Sequence, residues 1–217
     1  MICNLDCVMY KLYGHNGSGS AAIEMALIAV GEKFELIDVA SWEPETPIHE
    51  LTKVNPLSQI PTIILPGGQI LTESAAILIY LGDKYPSSGI LAQESHQRIK
   101  AIQGLIYLAA NCYPAVGIID FPERWTSGAS SSEYENIKSG TRQRLYYLWD
   151  IFADTFVGTP YLNGPRPGIL DFYTVNICRM FSAHKHLEKS RPEFFHLLST
   201  VEHDPSISDV ISRHWPE

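Results

Sequence analysis

Two pairs of residues between positions 60 and 74 carry more chemistry than their predicted secondary structure requires. Pro61 follows Ile60 directly before the apolar segment 62–65. A β-strand normally excludes proline unless the proline takes the first position or a special geometry. Glu73 and Ser74 stand where a helical pattern begins, and the free N–H groups of a first helical turn favour an anion. The sequence therefore predicts an anion-binding helix N-terminus and an unusual proline in one short stretch.

The elements that must position these residues begin with alternating strands and helices. Strands are predicted at 8–13, 34–39, 62–65 and 69–71, and helices at 21–30 and 72–85, with a short helix near 48–53. Strand, helix and strand within about 30 residues form a βαβ unit with a right-handed crossover and parallel strands. The turn Pro66-Gly67-Gly68 joins the last two strands into a hairpin. The predicted order is therefore βαβ-ββα.

Beyond Pro86-Ser87-Ser88-Gly89 the strand signals vanish and long helical periods take over. Helices are predicted at about 94–112, 133–156, 169–184, 192–203 and 206–214. The first of them carries a predicted core stripe made of Ile99, Ile102, Ile106 and Ala109. The chain is thus predicted to combine an α/β domain at 1–86 with an all-α domain at 93–217, joined by a linker at 87–92.

The composition favours some classes of protein and argues against others. The 217 residues are 45% hydrophobic and 18% charged, which is typical of a folded globular protein. A net charge of −8 disfavours nucleic acid as a partner, because phosphates would be repelled. No apolar run of membrane-spanning length is evident, so no membrane partner is predicted. The first seven residues include Asp6 and no basic residue, so we expect no secretory signal there.

The four cysteines are predicted to be reduced. Cys3 and Cys7 have no cluster of His or Cys nearby, so no metal site is expected. Cys112 and Cys178 fall in apolar helical runs and are predicted to be buried packing residues. Unpaired cysteines are typical of a reducing compartment, and the expected location is cytoplasmic.

The segments NPLSQIP and LTESAAILIYL resemble the glutathione-binding half of the cytosolic glutathione transferase family. Pro61 matches the cis-proline of that family, and the pair Glu73-Ser74 matches its γ-glutamyl site. The resemblance covers about residues 9–217. It implies a thioredoxin-like N-terminal domain, a C-terminal helical bundle and a two-fold homodimer with the helices at 74–85 and 94–112 in the interface.

The resemblance also implies a way to bind glutathione. A cis bond before Pro61 would turn the N–H and carbonyl of Ile60 outward, where the cysteinyl residue could pair like an added strand. Ser74 would hold the γ-glutamyl carboxylate and Glu73 its ammonium group, while Gln59 could reach the ligand backbone. The alternatives are a trans proline at the start of a strand and an ordinary helix N-terminus with capping residues.

Activation of the glutathione thiol is assigned to the loop between the first strand and the first helix. Relatives place Tyr, Ser or Cys there, and this loop offers Ser18 and Ser20 on either side of Gly19. Ser18 lies closer to the strand and is the first choice. His15 and the N–H groups of the following helix are further candidates. The alternative is that both serines only cap the helix.

The helix at 94–112 has a second stripe, polar and aromatic, that includes Tyr107 and Asn111. In the glutathione transferase family the equivalent helix lines the substrate cleft. Tyr107, Asn111 and Tyr113 are therefore predicted to contact a hydrophobic electrophile. The alternative is that the stripe is simply a boundary face of the domain.

The predicted function is that of a glutathione transferase, with glutathione as cosubstrate and a small hydrophobic electrophile as partner. One alternative is a glutathione-dependent disulfide reductase without a protein cysteine, since residues 17–20 are Gly-Ser-Gly-Ser. Another alternative is a non-catalytic glutathione-binding module.

One departure from the family pattern concerns folding and not chemistry. At the N-terminus of the helix that corresponds to 169–184, family members usually carry Ser or Thr, then two residues, then Asp. This chain has Gly168 three residues before Asp171. Glycine lacks a side-chain acceptor but costs only a few tenths of a kcal/mol as an N-cap. Asp171 is still expected to accept a backbone N–H at the start of the helix.

Overall fold

The first part of the chain is a four-stranded sheet with helices packed on it. The structure is a computed structural model that describes residues 9–43 and 45–216. Its elements are β1 (Tyr10–Gly14), α1 (Ser20–Ala29), β2 (Phe34–Asp38), α2 (Ile48–Val54), β3 (Thr62–Ile64), β4 (Ile70–Thr72) and α3 (Ser74–Lys84). The strand order is β2-β1-β3-β4, with β1 parallel to β2 and antiparallel to β3. This is the predicted thioredoxin-like arrangement.

Helix α1 is the most deeply buried element of this part. Every residue from Ser20 to Leu27 is buried, although one of them is Glu24. A helix that is apolar all round must be covered on all sides. The covers are β1 and α3 on one side and helices of the second part on the other, so the main hydrophobic core runs through both parts.

The second part of the chain is helical. Its elements are α4 (Ser95–Tyr107), α5 (Tyr113–Asp120), α6 (Ser131–Thr155), α7 (Ile169–Cys178), α8 (Ala183–Ser190), α9 (Pro192–Glu202) and α10 (Ser208–His214). The predicted fold class is therefore confirmed. The segment between the two parts is well packed, because Ile90 and Leu91 are buried in the common core. The exact domain boundary at 87–92 stays a prediction.

The predicted helix at 94–112 differs from the structure in two ways. First, it continues to Asp120 through a π-helical turn at Leu108–Cys112. Second, the predicted core stripe was wrong: Ile99 is 63% exposed and Ile106 is 52% exposed. The core face instead includes Leu105 and the small residue Gly104, where Leu170 of α7 packs so closely that a Cβ would meet it at 2.7 Å. The buried face of this helix is therefore the one that carries Gly104, because the small residue lets α7 approach closely. The face with Ile99 and Ile106 is exposed.

The helical stretch Ser95–Asp120 corrects a second expectation. An 18-residue window of this 26-residue stretch reaches a mean hydropathy of 1.4, so by length and composition alone the stretch could cross a membrane. In the structure it packs against α6 and α7. Of this apolar window, 39% is buried inside the structure.

The predicted helix at 169–184 is also interrupted. Helix α7 ends at Cys178, and Phe181 and Ser182 take left-handed backbone conformations with φ of 50° and 61°. A left-handed pair cannot continue an α-helix, so the chain turns and begins α8 as a separate element.

Asp171 fastens the start of α7 to the preceding loop. Its buried carboxylate accepts the backbone N–H groups of Leu162 (2.7 Å), Asn163 (3.0 Å) and Gly168 (3.0 Å), which confirms the expected contact at the helix N-terminus. Burial raises the pKa of Asp171 to about 7, although these N–H donors act in the opposite direction. The same corner is fixed to the segment between the two parts, because the Ile169 N–H donates to the Ile90 carbonyl at 2.8 Å.

Gly168 is more constrained than its capping role suggests. A Cβ at this position would overlap the Ile90 carbonyl oxygen and the Asn163 side chain. A backbone carbonyl that already accepts a hydrogen bond cannot move aside easily. Glycine is therefore required here for close approach and is not merely an inexpensive substitute for serine.

We expect Gly168→Ser to lower the free energy of unfolding by about 1–3 kcal/mol, as overpacking of a core position does. Urea denaturation followed by circular dichroism measures the change. Gly140→Ser in α6 is the matched control, because no atom lies within 4 Å of a Cβ there. It should alter the unfolding free energy by less than about 0.5 kcal/mol. Equal stability of the two variants would contradict the steric account.

Candidate functional site

The loop before β3 presents an unpaired stretch of backbone. The Ile60–Pro61 peptide bond is cis, as the resemblance implied. The buried side chain of Asn55 donates to the Gln59 carbonyl at 3.0 Å and to the Thr62 hydroxyl at 3.1 Å, and that hydroxyl donates to the same carbonyl at 2.8 Å. Within the described residues the N–H and carbonyl of Ile60 make no backbone hydrogen bond. They are held in place and remain free for a ligand.

The start of α3 lies beside this loop. Thr62 pairs with Thr72 across β3 and β4, so their neighbours Pro61 and Glu73 stand at the same end of the hairpin. Glu73 is exposed and has a left-handed φ of 66°, a costly conformation for a residue with a side chain. Its neighbour Ser74 is buried and opens the helix. The structure thus brings the cis-proline loop and the Glu73-Ser74 pair together.

Two tyrosines of the helical part border the same place. Tyr113, the first residue of α5, packs edge-on against Tyr173 of α7, with 6.1 Å between the ring centres. Burial raises the pKa of Tyr173, while the neighbouring Ser74 hydroxyl acts in the opposite direction. The Tyr173 ring therefore connects Tyr113 with the helix N-terminus that begins at Ser74.

The loop serines are turned into the fold. Ser18 and Ser20 are both buried, and their hydroxyl oxygens lie 3.0 Å apart. The Ser20 N–H donates to the Ser18 hydroxyl at 3.2 Å, and the Ser20 hydroxyl donates to the His15 carbonyl at 3.3 Å. Ser20 also packs on Gly14, where a Cβ would meet its Oγ at 2.5 Å. These contacts hold the loop before α1, and the thiol-activating role assigned to Ser18 and Ser20 stays a prediction.

Comparison with known proteins supports the resemblance. Residues 20–84 match the N-terminal domain family of glutathione S-transferases. The uncharacterized GST-like protein YncG of Escherichia coli is 28% identical over 95% of this chain and 98% of its own length. Glutathione S-transferase GstA of Escherichia coli is 25% identical over 93% of this chain and 97% of its own. Over nearly its whole length the chain is therefore similar to glutathione transferases.

Solved structures agree in fold. A glutathione transferase homolog from Sulfitobacter, solved with bound glutathione, superposes with a TM-score of 0.82 over 94% of this chain and 98% of its own. The identity between the two is 21%, so this likeness shows a shared fold and nothing about the substrate.

Two of the predicted cleft residues make contacts within the helical part. The Tyr107 hydroxyl donates to the Leu148 carbonyl at 2.9 Å, and the Tyr107 ring packs near Phe152 inside the helical part. Asn111 donates to the Tyr107 carbonyl and lines a shallow cavity of about 330 Å³ between α5 and α6. Of the three predicted cleft residues, only Tyr113 is brought to the cis-proline loop. The roles assigned to Tyr107 and Asn111 stay predictions.

The described cysteines take no part in the site. Cys112 and Cys178 are buried and unpaired, and burial raises the pKa of Cys112 to about 12 and also raises that of Cys178. Cys3 and Cys7 lie outside the described residues. In the part of the chain that the structure describes, His, Cys, Asp and Glu form no group of three that could hold a metal ion.

A buried polar contact that the sequence did not reveal holds the loop next to α1. His214 of α10 lies 2.7 Å from the carboxylate of Glu24, and both side chains are almost fully buried. The other imidazole nitrogen of His214 accepts the Gly17 N–H at 3.1 Å, so a neutral ring carries its proton on the nitrogen facing Glu24. Arg213 pairs with the second carboxylate oxygen at 2.8 Å. The last helix thus anchors the loop that carries Ser18.

We expect His214→Ala to lower the free energy of unfolding by about 2–4 kcal/mol, because it leaves the buried Glu24 carboxylate short of a partner. Urea denaturation provides the measurement. His203→Ala is the matched control, since His203 is exposed and bonds only within its own helix end. It should cost less than about 0.5 kcal/mol. If both variants are equally stable, the His214 contact does not anchor the loop.

Proposed function

We propose that this protein is a glutathione transferase that joins the glutathione sulfur to a small hydrophobic electrophile. The observation that carries the proposal is the position of the free Ile60 backbone, next to the cis-proline, beside the N-terminus of α3. The free N–H and carbonyl of Ile60 can pair with an extended peptide, and the N-terminus of α3 can bind a carboxylate. Glutathione is a short peptide with a carboxylate at each end.

In the proposed complex the cysteinyl residue pairs with the N–H and carbonyl of Ile60, as a strand adds to a sheet edge. The N–H and hydroxyl of Ser74 hold the γ-glutamyl carboxylate, aided by the free N–H groups at the start of α3. The exposed Glu73 carboxylate meets the ammonium group, and Gln59 reaches the ligand backbone. The glutathione bound in the Sulfitobacter homolog supports the choice of ligand.

The reaction needs no covalent intermediate with the protein. The bound thiol loses its proton to solvent, and the thiolate forms the new S–C bond while the attacked carbon gives up another bond. An aryl halide loses its halide ion, and an epoxide opens to an alkoxide that takes a proton from solvent. In an unsaturated carbonyl compound the carbon–carbon π bond breaks to give an enolate, which solvent then protonates. The electrophile would lie between the thiol and the apolar residues of the helical part. The protein's task is to hold the thiol, favour its ionised form and exclude water from the reacting carbon.

Direct assays separate this function from its alternatives. Isothermal titration with glutathione tests the site itself. A panel of aryl halides, epoxides and unsaturated carbonyl compounds tests conjugation, and a panel of mixed disulfides tests reduction. Conjugation that survives blocking of the cysteines supports the transferase. Disulfide reduction alone would favour the reductase, and binding without turnover would favour the non-catalytic module.

We also propose a homodimer and a cytoplasmic location with a role in detoxification. Ile99 and Ile106 form an exposed apolar stripe along α4, and Ala76 of α3 is exposed as well. Exposed apolar stripes of this kind mark interaction surfaces.

The unpaired state of Cys112 and Cys178 supports a reducing compartment.

Ser74→Ala should weaken glutathione binding by about ten-fold or more, because it removes a hydrogen bond to a charged carboxylate. Isothermal titration calorimetry gives the dissociation constant. Ser95→Ala is the matched control, since Ser95 opens α4 in the same way but is exposed and distant in the chain from the site. Its affinity should equal that of the wild type. A Ser74→Ala variant with unchanged affinity and an intact circular dichroism spectrum would remove Ser74 from the site.

In light scattering at micromolar concentration, the wild-type protein should have twice the chain mass of 24.3 kDa. The double variant Ile99→Asp/Ile106→Asp should shift to the mass of one chain, because charges replace apolar groups in the proposed interface. The control is Ile28→Asp, a similarly exposed isoleucine on α1, which should remain dimeric. A wild-type mass near 24.3 kDa would refute the dimer.

A further inference from the structure

The N-terminus of α1 has no side chain at the position nearest the cis-proline. Residue 19 is glycine, and a Cβ built on it would lie 3.2 Å from Cδ of Pro61. This is the point at which a side chain from the first loop could face a ligand bound to the Ile60 backbone. The flanking hydroxyls of Ser18 and Ser20 bond to each other and to the loop backbone instead.

A side chain from the helical part occupies that space. The same Cβ on Gly19 would overlap the hydroxyl oxygen of Tyr113 and would lie 3.3 Å from the ring carbon that bears it. Gly19 has an ordinary helical φ of −61°, so its backbone would accept any residue. Only glycine fits at position 19 without a shift of its neighbours, because the Tyr113 hydroxyl occupies the space that a Cβ would take.

The Tyr113 hydroxyl has its hydrogen-bonding capacity unused. It makes no hydrogen bond to any residue that the structure describes. Its aromatic ring is held edge-on by Tyr173, at 6.1 Å between ring centres and 82° between ring planes. The hydroxyl thus lies against Gly19, on the side where Gly19 also approaches Pro61, and is available as a donor.

The backbone before Tyr113 explains how it reaches that gap. The five residues Leu108–Cys112 form a π-helical turn, and Tyr113 follows directly. A π-turn inserts an extra residue and rotates all that follow, and such turns are common at functional sites. The direction of Tyr113 relative to α4 therefore depends on this turn.

We propose that the Tyr113 hydroxyl donates the hydrogen bond that stabilises the glutathione thiolate, in the place where a loop residue would otherwise do so. This inference rests on the proposed function, since it takes glutathione as the ligand of the Ile60 backbone. The thiol proton leaves to solvent, and the Tyr113 proton stays on its own oxygen. The sulfur then lies between the phenol and the N-terminus of α1, where N–H groups also favour a thiolate.

A donor to a thiolate must keep its own proton at the pH of the reaction. Burial raises the pKa of Tyr113 to about 12, and the nearby carboxylates of Asp120 and Glu73 act in the same direction. The phenol therefore stays protonated well above the pKa of about 8.5 of a free thiol.

Tyr113→Phe tests the inference, because it removes the hydroxyl and leaves the ring on Tyr173. The ultraviolet absorbance of the thiolate, titrated against pH in the complex with glutathione, gives the thiol pKa. We expect it to rise by about one to two units, the equivalent of one charge-assisted hydrogen bond. The dissociation constant of glutathione at low pH should change by less than about three-fold.

Three control variants make the outcome specific. Tyr107→Phe removes a phenol from the same helical stretch, but one that bonds to the Leu148 carbonyl, so the thiol pKa should not move. Ser18→Ala and Ser20→Ala should also leave it unchanged. A rise with either serine variant and none with Tyr113→Phe would assign the donor to the loop and overturn this inference.

Gly19→Ala provides an independent geometric test. The added methyl must displace the Tyr113 hydroxyl, so the variant should raise the thiol pKa in the wild-type background. It should have no further effect in the Tyr113→Phe background, where the overlapping oxygen is gone. Additive effects of the two substitutions would overturn the inference.

Failure of the proposed function gives a different result. If the wild-type protein does not bind glutathione in isothermal titration, the proposed function is wrong and this inference with it. If glutathione binds and the thiol pKa is the same in the wild type and in Tyr113→Phe, the inference alone is wrong.

Discussion

The burial of α1 is the constraint on which the rest of the structure depends. The helix is covered by the sheet on one side and by α7 and α10 on the other, so the two parts of the chain share one core. Burial of apolar surface stabilises the folded state by about 25 cal/mol per Å². Neither part could bury the whole surface of this helix without the other, because each covers only one side of it. As a result the N-terminus of α1 has a fixed position relative to the helical part. That position places Gly19 against Tyr113 and Gly17 against His214.

Close approach between elements is achieved through glycine at several of these contacts. Gly14 admits the Ser20 hydroxyl, Gly104 admits Leu170, and Gly168 admits the Ile90 carbonyl. In each case a Cβ would overlap or crowd a neighbour from another segment, so the glycine is required by packing and not by its own backbone angle. The contact of Gly14 with Ser20 lies in the loop that borders the candidate site. Its geometry therefore depends on how closely the two parts pack, as much as on the residues that would touch a ligand.

Much of the fold and part of the site could be predicted from the sequence, because they depend on local patterns. The βαβ-ββα order, the cis bond before Pro61 and the position of Glu73-Ser74 all follow from short segments. The stripe on α4 could not be assigned correctly, since a helical period shows which residues share a face but not which face is covered. The contact of His214 with Glu24 joins residues 190 positions apart, and no local pattern reports it. A single glutamate inside the apolar run of α1 was the one available signal.

The meeting of Tyr113 with Gly19 combines both kinds of information. The sequence alone shows a glycine between two serines, which suggests that one of the serines acts in its place. The structure shows that both serines are committed to the loop and that a phenol from the other part of the chain fills the space. A missing side chain in one segment is thus compensated by a side chain more than ninety residues away, which sequence comparison by position would not detect. If the phenol holds the thiolate, the ionisation of glutathione in this protein depends on the contact between its two parts. Any substitution that shifts Tyr113 relative to Gly19 would then change the thiol pKa without touching a residue that binds the glutathione backbone.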